Sequence, residues 1–436
     1  MTTTPLFQFD TKTLDKIQEA LPADLQLLRL RLRFGLPVQV HLGQRFRVVV
    51  DLVDEMGQPF TGTVAPHAGI KLSIDTDHLV LRVESTVADI KQRAQWVHWV
   101  SLQSPTTTED FPDNWFDAHI GLRIQMKQGA VGENDSMAPG GFRHVFQSFC
   151  VGSAWLNASV LVLPLQVQLQ VAAPSEVNEA VTSSTICQRL FHASSLEISE
   201  RGDDKGTVLV VEENYGDAMG SHVWDASVLL SFSVLHAGTT GLTLSEEELV
   251  TGVLETKQVM LELGSGCGLF AAVLSNLLPL GTDVATIFTE KHESTERLQS
   301  NLLRNRSLPT ASVVALDWGA ELPIILLHAN IRVVFAADVL YNWAAHEALI
   351  ATLDSLFNGQ VPTSTRVFLA HKRRGKSSAM KLDALASNTF DAATDCGVTT
   401  EITECRWNRW HVEKIASIGR VDLFQLSRRY LQPEAV

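Results

Sequence analysis

The sequence predicts two domains of different fold class, a β-sandwich-like domain followed by a doubly wound α/β domain. Short alternations of apolar and polar residues fill 27–171, a small polar segment follows at 173–185, and strands and helices alternate after residue 186. Many short strands separated by turn residues are typical of a sandwich. Strand–helix alternation predicts a mostly parallel sheet with helices on both faces. We therefore expect a mostly-β domain over 1–175 and an α/β domain over 186–436.

The first strand of the sandwich is expected at 27–34, where leucines alternate with Arg29, Arg31 and Arg33. This period of two is typical of a half-buried strand. The three arginines could form a contact surface, but a solvated strand face is the more ordinary interpretation. A short helix is expected in front of the sandwich, at 10–21. The remaining strands of this domain are expected within 45–62, 78–86, 95–103, 119–126 and 158–171.

The second domain is expected to contain eight strands and five helices. Ligands of such sheets bind beyond the carboxyl ends of the parallel strands, so those ends are where site residues should be sought. The strands are expected near 207–213, 258–263, 283–290, 312–316, 331–338, 365–371, 410–417 and 421–428. The helices are expected near 224–236, 268–279, 291–305, 344–357 and 376–390.

Composition restricts the class of protein. The chain has 436 residues, of which 45% are hydrophobic and 19% charged, which is typical of ordered globular domains. Its net charge of −14 argues against non-specific nucleic-acid binding, which requires a basic surface. The same charge is compatible with a basic substrate, such as a lysine-bearing protein segment.

The five cysteines are widely spaced and form no Cys-x-x-Cys pair, so we expect neither a disulfide framework nor a metal site. The N-terminus lacks the basic flank and apolar core of a signal peptide. No apolar run reaches the ~18 residues of a membrane span. We therefore expect that the protein has no membrane partner. Its expected location is the cytoplasm, with the nucleus as an additional compartment.

The segment VMLELGSGCGLF (259–270) places Glu262 in an apolar strand and then Gly264, Gly266 and Gly268 at alternate positions. Glycines at the turn from a strand to a helix let the backbone approach a ligand closely. A dinucleotide site would read Gly-x-Gly-x-x-Gly, whereas Leu269 occupies the last position here. A tight turn without a ligand is the alternative interpretation.

The residues after the next two strands indicate which ligand would fit. Glu290 ends the strand that follows the glycines, and an acid there can accept hydrogen bonds from both hydroxyls of a ribose. LDWG (316–319) offers the carboxylate of Asp317 for an adenine amino group and the indole of Trp318 for packing on the ring. S-adenosylmethionine has a ribose and an adenine but no pyrophosphate, so it suits this pattern.

At this point the second half of the chain resembles the Rossmann-like, seven-strand S-adenosylmethionine-dependent methyltransferases. It is most similar to the protein-lysine group called methyltransferase family 16. The resemblance covers 207–430, a little over half the chain. Four segments carry it in family order, and a fifth resembles the next strand of the family: GSHVWDASVLLSFSVL (220–235), VMLELGSGCGLF (259–270), LDWG (316–319), VVFAADVLYN (333–342) and VFLAHKRR (367–374).

The resemblance implies a cofactor site and assigns roles within it. Gly264, Ser265 and Gly266 would meet the methionine part of the cofactor through the backbone. The family usually has Asp at the position of Glu290, although the longer acid can still reach a ribose. Together with the reasoning from the residues themselves, the predicted cofactor-binding set is Trp224, Glu262, Gly264, Ser265, Gly266, Gly268, Glu290, Asp317, Trp318 and Ala337.

Asp338 and Tyr341 are the candidate catalytic residues. They lie at the carboxyl end of the strand at 331–338, and Asp338 could orient an incoming ammonium group while Tyr341 attracts it by a cation–π contact. The alternatives are that Asp338 is the N-cap of a following helix and Tyr341 an ordinary packed aromatic residue.

Other reactive side chains of this half are weaker candidates. Cys267 is expected to be a small filler within the glycine turn. His222, His292 and His371 have no spacing that implies a metal site or a triad, so packed or surface positions are expected. The basic segment 371–376 could guide an acidic stretch of the substrate or be a solvated loop.

The leading functional hypothesis is a protein-lysine N-methyltransferase whose partner is a protein substrate, selected with the help of the sandwich. One alternative is a methyltransferase of another nucleophile, namely histidine, arginine or a small amine. Another is a non-catalytic binding protein with a vestigial methyltransferase domain. An NAD-dependent oxidoreductase is disfavoured by Leu269.

Overall fold

The computed structural model divides the chain into two compact units. The sandwich unit comprises Asp24–His192 and Val210–His222, and the α/β unit comprises Met1–Ala23, Ala193–Leu209 and Val223–Val436. The predicted bounds, 1–175 and 186–436, divide the chain differently. The structure describes residues 6–62, 68–75, 82–90, 95–103, 115–126, 141–173, 183–193, 207–215, 219–240, 257–277, 284–307, 311–342, 345–358, 365–374 and 410–428.

In chain order, the elements of the first half are β1 (Phe7–Phe9), α1 (Thr11–Ala20), β2 (Gln26–Leu32), β3 (Leu36–Pro37), β4 (Gln39–His41), β5 (Arg45–Val53), β6 (Ala68–Asp75), β7 (Arg82–Ile90), β8 (Gln95–Gln103), β9 (Phe116–Met126), α2 (Phe142–Phe149), β10 (Ala154–Trp155), β11 (Val160–Leu163), β12 (Leu165–Ala172), β13 (Ser183–Ser184), β14 (Ile186–Ala193) and β15 (Thr207–Asn214). Those of the second half are α3 (Asp225–Ala237), β16 (Gly238–Thr240), β17 (Gln258–Leu263), α4 (Leu269–Leu277), β18 (Val284–Glu290), α5 (Thr295–Arg304), β19 (Ala311–Ala315), α6 (Ile324–Leu327), β20 (Asn330–Ala337), α7 (His346–Asn358), β21 (Arg366–Lys372), β22 (Trp410–Ile418) and β23 (Val421–Arg428). Short 3-10 helices cover Met219–Ser221 and His292–Ser294.

The sandwich unit contains two sheets that share one hydrophobic core, which confirms the predicted sandwich. The first sheet has the order β10-β11-β2-β5-β8-β7, and the second has the order β15-β14-β12-β9-β6 with β4 beside β12. Alternate side chains of both sheets enter the common core, as period-two patterning requires. They include Leu28, Leu30, Val48 and Val50 from the first sheet and Ile120, Leu122, Val167 and Leu169 from the second.

The expectation of a solvated arginine face on β2 is wrong for Arg29, which is fully buried. Arg31 is half-buried and pairs with Asp51 at 3.6 Å, and only Arg33 is exposed. The physical reason is that β2 is covered on both faces. Consecutive strand residues point to opposite faces, and the consecutive residues Leu27 and Leu28 are both buried. Charge on alternate residues therefore did not indicate a solvent-facing side.

The strand predicted at 207–213 exists as β15, but it does not join the α/β sheet. It lies beside β14 in the sandwich unit. Arg189 of β14 and Glu213 of β15 form a fully buried ion pair at 2.6 Å, and Arg189 also donates to the Leu30 carbonyl at 2.9 Å. A buried charge must be paired and hydrogen-bonded to be tolerated, and these contacts provide that compensation.

The α/β unit contains a seven-stranded sheet of order β19-β18-β17-β20-β21-β23-β22. The pairs from β19 to β21 are parallel, and β23 is antiparallel to both of its neighbours. This confirms the doubly wound α/β prediction. The chain order reverses between β17 and β20, and the crevice at such a switch point is where ligands of these sheets bind.

The N-terminal segment belongs to the α/β unit. The Phe7 ring lies edge-on to Phe335 and Phe368, with centroids 5.2 and 5.4 Å away, and Gln18 of α1 accepts a hydrogen bond from the Ser417 backbone at 2.7 Å. The helix predicted at 10–21 is therefore confirmed as α1, but its expected place in front of the sandwich is not.

Two predicted segments lie largely or wholly outside the described residues: most of the linker at 173–185 and the helix at 376–390. Among the helices that the structure describes, none is both long and apolar enough to cross a membrane.

Candidate functional site

The glycine turn joins β17 to α4 at the switch point of the sheet. Gly264, Gly266 and Gly268 have φ values of 69°, 56° and 86°. A residue with a Cβ adopts these angles only at a cost, so the turn depends on glycine at these positions. The sequence-based expectation of a tight strand-to-helix turn is confirmed.

Hydrogen bonds hold this turn against the neighbouring strand and helix. The Ser265 amide donates to the Thr289 carbonyl at 2.9 Å, and the side-chain amide of Asn301 on α5 donates to the Cys267 carbonyl at 2.7 Å. Cys267 is buried, in agreement with a filler role. The turn is therefore fixed from both sides.

The turn contacts the residues after β19 and β20. A Cβ built on Gly264 would lie 3.1 Å from the Trp318 ring and 3.1 Å from Val339. A side chain here would adopt a strained φ of 69° and would require Trp318 or Val339 to shift slightly. The three predicted features, the glycines, the indole and the segment after β20, therefore converge at one point.

Glu290 ends β18 directly beside the turn. Its carboxylate accepts hydrogen bonds from the Gly266 amide at 2.7 Å and from the Lys291 amide at 3.0 Å. Burial raises the pKa of Glu290, and these two hydrogen bonds oppose the rise. A carboxylate at this strand end can accept hydrogen bonds from ligand hydroxyls.

Glu262 is buried in β17 beneath the turn. Burial raises the pKa of its carboxyl to about 8, the adjacent Ser265 hydroxyl opposes the rise, and the charge of Glu290 adds to it. Glu262 Oε2 and Ser265 Oγ are buried and have no partner among the described residues other than each other. Buried polar atoms without partners are uncommon and are often explained by a ligand or ion.

Trp318 and Asp317 reach the site because the segment after β19 follows Glu290. The Leu316 amide donates to the Glu290 carbonyl at 2.9 Å. Trp318 is half-buried against the core of the unit, whereas Asp317 is exposed. One side chain of this segment can thus pack on a ring while the other faces solvent.

Trp224 and Ala337 lie at the ends of elements in the same unit. Trp224 is half-buried at the N-cap position of α3. Ala337 is the last residue of β20, paired with Ala370 of β21. Trp224 is linked to this edge of the sheet by Arg374, whose guanidinium carbon lies 5.2 Å from the centre of the indole.

Asp338 follows Ala337 with a φ of 60°, an unusual value for a residue with a side chain. It is not a helix N-cap, because α7 begins only at His346. Its carboxylate instead accepts two hydrogen bonds from Arg374, of which the Nη1–Oδ1 bond is 2.7 Å. The ring nitrogen Nδ1 of His371 lies 3.8 Å from the same carboxylate. Tyr341 is not a packed aromatic residue, since half of it is exposed.

The described part of the basic segment, 371–374, is neither a solvated loop nor a free basic surface. Lys372 pairs with Asp225 at 2.5 Å and Arg373 pairs with Asp422 at 3.4 Å. Sequence reasoning placed His371 near this end of the sheet but missed Asp225 and Arg374 as neighbours of the candidate site. A usable signal existed, because residues directly after adjacent parallel strands must meet at one edge of the sheet.

Comparisons with known proteins agree with this geometry. Residues 203–388 match a family model described as "Lysine methyltransferase". A UPF0665 family protein of Schizosaccharomyces pombe is 24% identical over 37% of this chain and 45% of its own length. The protein-lysine N-methyltransferase EEF2KMT of Mus musculus is 30% identical over 35% of this chain and 51% of its own. The chain thus spans about half the length of these curated relatives.

Solved structures with local similarity include PigF with SAH, which is 16% identical over 39% of this chain and 50% of its own, with a TM-score of 0.27. The O-methyltransferase NcsB1 from neocarzinostatin biosynthesis, in complex with S-adenosylmethionine, is also 16% identical. The match covers 49% of this chain and 62% of the NcsB1 chain, with a TM-score of 0.28.

The described residues fit S-adenosylmethionine. A Cβ would fill the space that Gly264 leaves beside Trp318. Glu262 Oε2 and Ser265 Oγ are buried polar atoms with no described partner other than each other, and the carboxylate of Glu290 ends β18. A cationic ligand that carries an ammonium group, a ribose and an adenine can satisfy these features. Residues 203–388 are therefore similar to the lysine methyltransferase family, and the described residues among them fit its cofactor S-adenosylmethionine.

Proposed function

We propose that this protein transfers a methyl group from S-adenosylmethionine to a lysine side chain of a protein substrate. The main observation that supports this proposal is the position of Asp338 and Tyr341. They flank Val339, whose side chain would lie 3.1 Å from a Cβ on Gly264. A carboxylate and a half-exposed aromatic ring therefore lie within two residues of Val339, the residue that lies beside the glycine turn. This is where an incoming amine would have to meet the methyl group.

The cofactor would be held mainly by backbone and carboxylate groups. Gly264, Ser265 and Gly266 would contact its methionine part, and Glu290 the ribose hydroxyls. The remaining members of the proposed set line the pocket or brace it: Trp224, Glu262, Gly268, Asp317, Trp318 and Ala337. Bound in this way, the cofactor supplies an electrophilic methyl group.

The chain must deliver an uncharged amine to that methyl group. A lysine in water has a pKa of about 10.4 and is mostly protonated at neutral pH. Asp338 would orient the incoming ammonium and take part in moving its proton away, while Tyr341 would attract the cation by its ring face. Alignment of the nitrogen about 3 Å from the methyl carbon then supplies most of the remaining acceleration.

The description of the matching family and the name of the mouse relative support lysine as the acceptor. A protein substrate would need a larger contact surface than the catalytic crevice offers, so we assign substrate selection to the sandwich unit. Cytoplasm, with the nucleus in addition, remains the predicted location.

The test is to incubate the purified protein with methyl-labelled cofactor and cell extract, and then to identify the labelled residue by mass spectrometry. We expect label on a lysine of a protein. Asp338→Ala should still bind the cofactor but lose about 100-fold or more in kcat, whereas Asp75→Asn, an exposed carboxylate on β6, should behave as the parent. Label on histidine, arginine, RNA or a metabolite would contradict the proposal.

A further inference from the structure

The carboxylate proposed to receive the substrate lysine already holds a cation of this chain. Arg374 donates to both oxygens of Asp338, one bond being 2.7 Å and the other shorter. A two-bond contact of guanidinium with carboxylate is among the stronger ion-pair geometries. Within the pair, the Asp338 side chain is 3% exposed and that of Arg374 is 22% exposed. The arginine is therefore the member of the pair that meets solvent.

The same guanidinium also contacts an aromatic ring. Its central carbon lies 5.2 Å from the centre of the Trp224 indole, within the range of a cation–π interaction. Arg374 thus lies between a carboxylate and an indole. A carboxylate and an aromatic face are also the two groups that would recognise an alkylammonium ion.

Arg374 lies beyond the end of its strand, unlike His371 and Lys372 before it. β21 ends at Lys372, so Arg374 lies two residues beyond the strand and outside its hydrogen-bond ladder. Lys372 and Arg373 have acidic partners of their own, Asp225 and Asp422. Departure of Arg374 would therefore leave these neighbouring pairs intact.

We propose that Arg374 is a placeholder cation that occupies the subsite of the substrate lysine and must be displaced for that lysine to bind. The inference rests on the proposed function and adds a specificity device to it. A substrate lysine binds only to molecules in which Arg374 has moved, and its apparent affinity is reduced by the fraction of molecules in that state. Substrates that also bind elsewhere on the protein can overcome this barrier, whereas free amines cannot.

The test compares Arg374→Gln with the parent chain, using the protein substrate identified by labelling. We expect KM for that substrate to fall about tenfold, equivalent to ~1.4 kcal/mol, with kcat within about threefold of the parent and cofactor affinity unchanged. Arg374→Lys, which keeps the charge but loses the two-bond contact, should give an intermediate KM. Arg373→Gln is the matched control, since its partner is Asp422, and it should leave KM unchanged.

A rise in KM, or a large fall in kcat at unchanged KM, would overturn the placeholder role and make Arg374 a residue that positions Asp338. A binding measurement separates this failure from failure of the proposed function. n-Butylamine, titrated calorimetrically into the full chain, should bind Arg374→Gln about tenfold more tightly than the parent, whichever acceptor the enzyme methylates. Equal binding would refute the inference. If Arg374→Gln does not fold, the comparison of Arg374→Lys with the parent decides the question in the same way.

Discussion

Glu262 lies buried beneath the glycine turn, and this burial raises its pKa to about 8 from an ordinary value of 4.5. The folded protein therefore holds this proton more tightly than the unfolded chain does. The resulting contribution to the free energy of unfolding is complete below about pH 4.5 and is lost as the pH rises through about 8, at ~1.4 kcal/mol per pH unit.

We predict that Glu262→Gln, which has no titrating proton, becomes more stable relative to the parent as the pH rises from 5 to 8. Thermal melting without cofactor at several pH values measures this difference. Glu347→Gln on α7 is the control, because Glu347 is exposed; its melting curves should track those of the parent. A constant difference between Glu262→Gln and the parent at every pH would contradict the assigned pKa.

The glycine turn allows a test that separates backbone strain from steric exclusion. Gly264 and Gly43 both have positive φ, 69° and 78°. A Cβ on Gly264 would meet Trp318 and Val339, whereas one on Gly43 would meet nothing within 4 Å. Both Gly→Ala variants should lose ~1–3 kcal/mol of stability from backbone strain.

Only Gly264→Ala should also weaken S-adenosylmethionine binding, by about tenfold or more, because its methyl group intrudes where the ligand would approach the backbone. Calorimetric titration of the cofactor into both variants measures the effect. Equal cofactor affinity in the two variants would exclude the turn from the binding site.

At the scale of elements, β1 contributes two aromatic side chains, Phe7 and Phe9, which both contact Phe368. Phe7 is buried and lies against Phe335 of β20 and Phe368 of β21. Phe7→Ala should therefore lower the free energy of unfolding by ~3–5 kcal/mol. Phe34→Ala, which removes a ring that is 53% exposed, should change it by less than ~0.5 kcal/mol. Denaturant unfolding of both variants tests the claim that β1 belongs to the α/β core.

The sequence located most strands but could not assign each of them to a sheet. Alternation over 207–213 correctly indicated β15, yet its neighbour β14 was not predicted as a strand. The run predicted at 158–171 is divided into β11 and β12 at Pro164, which has no amide to donate. Local periodicity reports one exposed and one buried face, whereas sheet membership depends on residues distant in the chain.

The candidate site was predictable where it consists of residues at the ends of neighbouring parallel strands. The turn at 264–268 and its contacts with Glu290 and Trp318 follow from strand ends that a doubly wound sheet brings together. The ion pair of Asp338 with Arg374 was not predicted, because it depends on where a loop beyond β21 directs one long side chain. The burial of Arg29 was missed for a similar reason, since the sequence does not reveal what covers the second face of a strand.

At the scale of the whole molecule, the bounds of the two units predict which fragment of the chain should fold by itself. The sandwich unit includes β14 and β15, so a fragment of residues 24–222 should melt cooperatively. A fragment of residues 24–175 lacks both strands and should bind a dye specific for exposed apolar surface. Removal of those strands also removes Arg189 and Glu213, whose pair is fully buried. Equal cooperativity of the two fragments would contradict the unit bounds.

The interleaving of the two units has a consequence for synthesis on the ribosome. Phe368, a partner of Phe7, is translated about 360 residues later, which at ordinary elongation rates is roughly 20–70 s. During that interval Phe7 lacks the strands that it will pack against, so its ring is available to chaperones. The sandwich unit can fold in the meantime, so we expect it to reach its folded state on the ribosome before β1 is packed into the α/β unit.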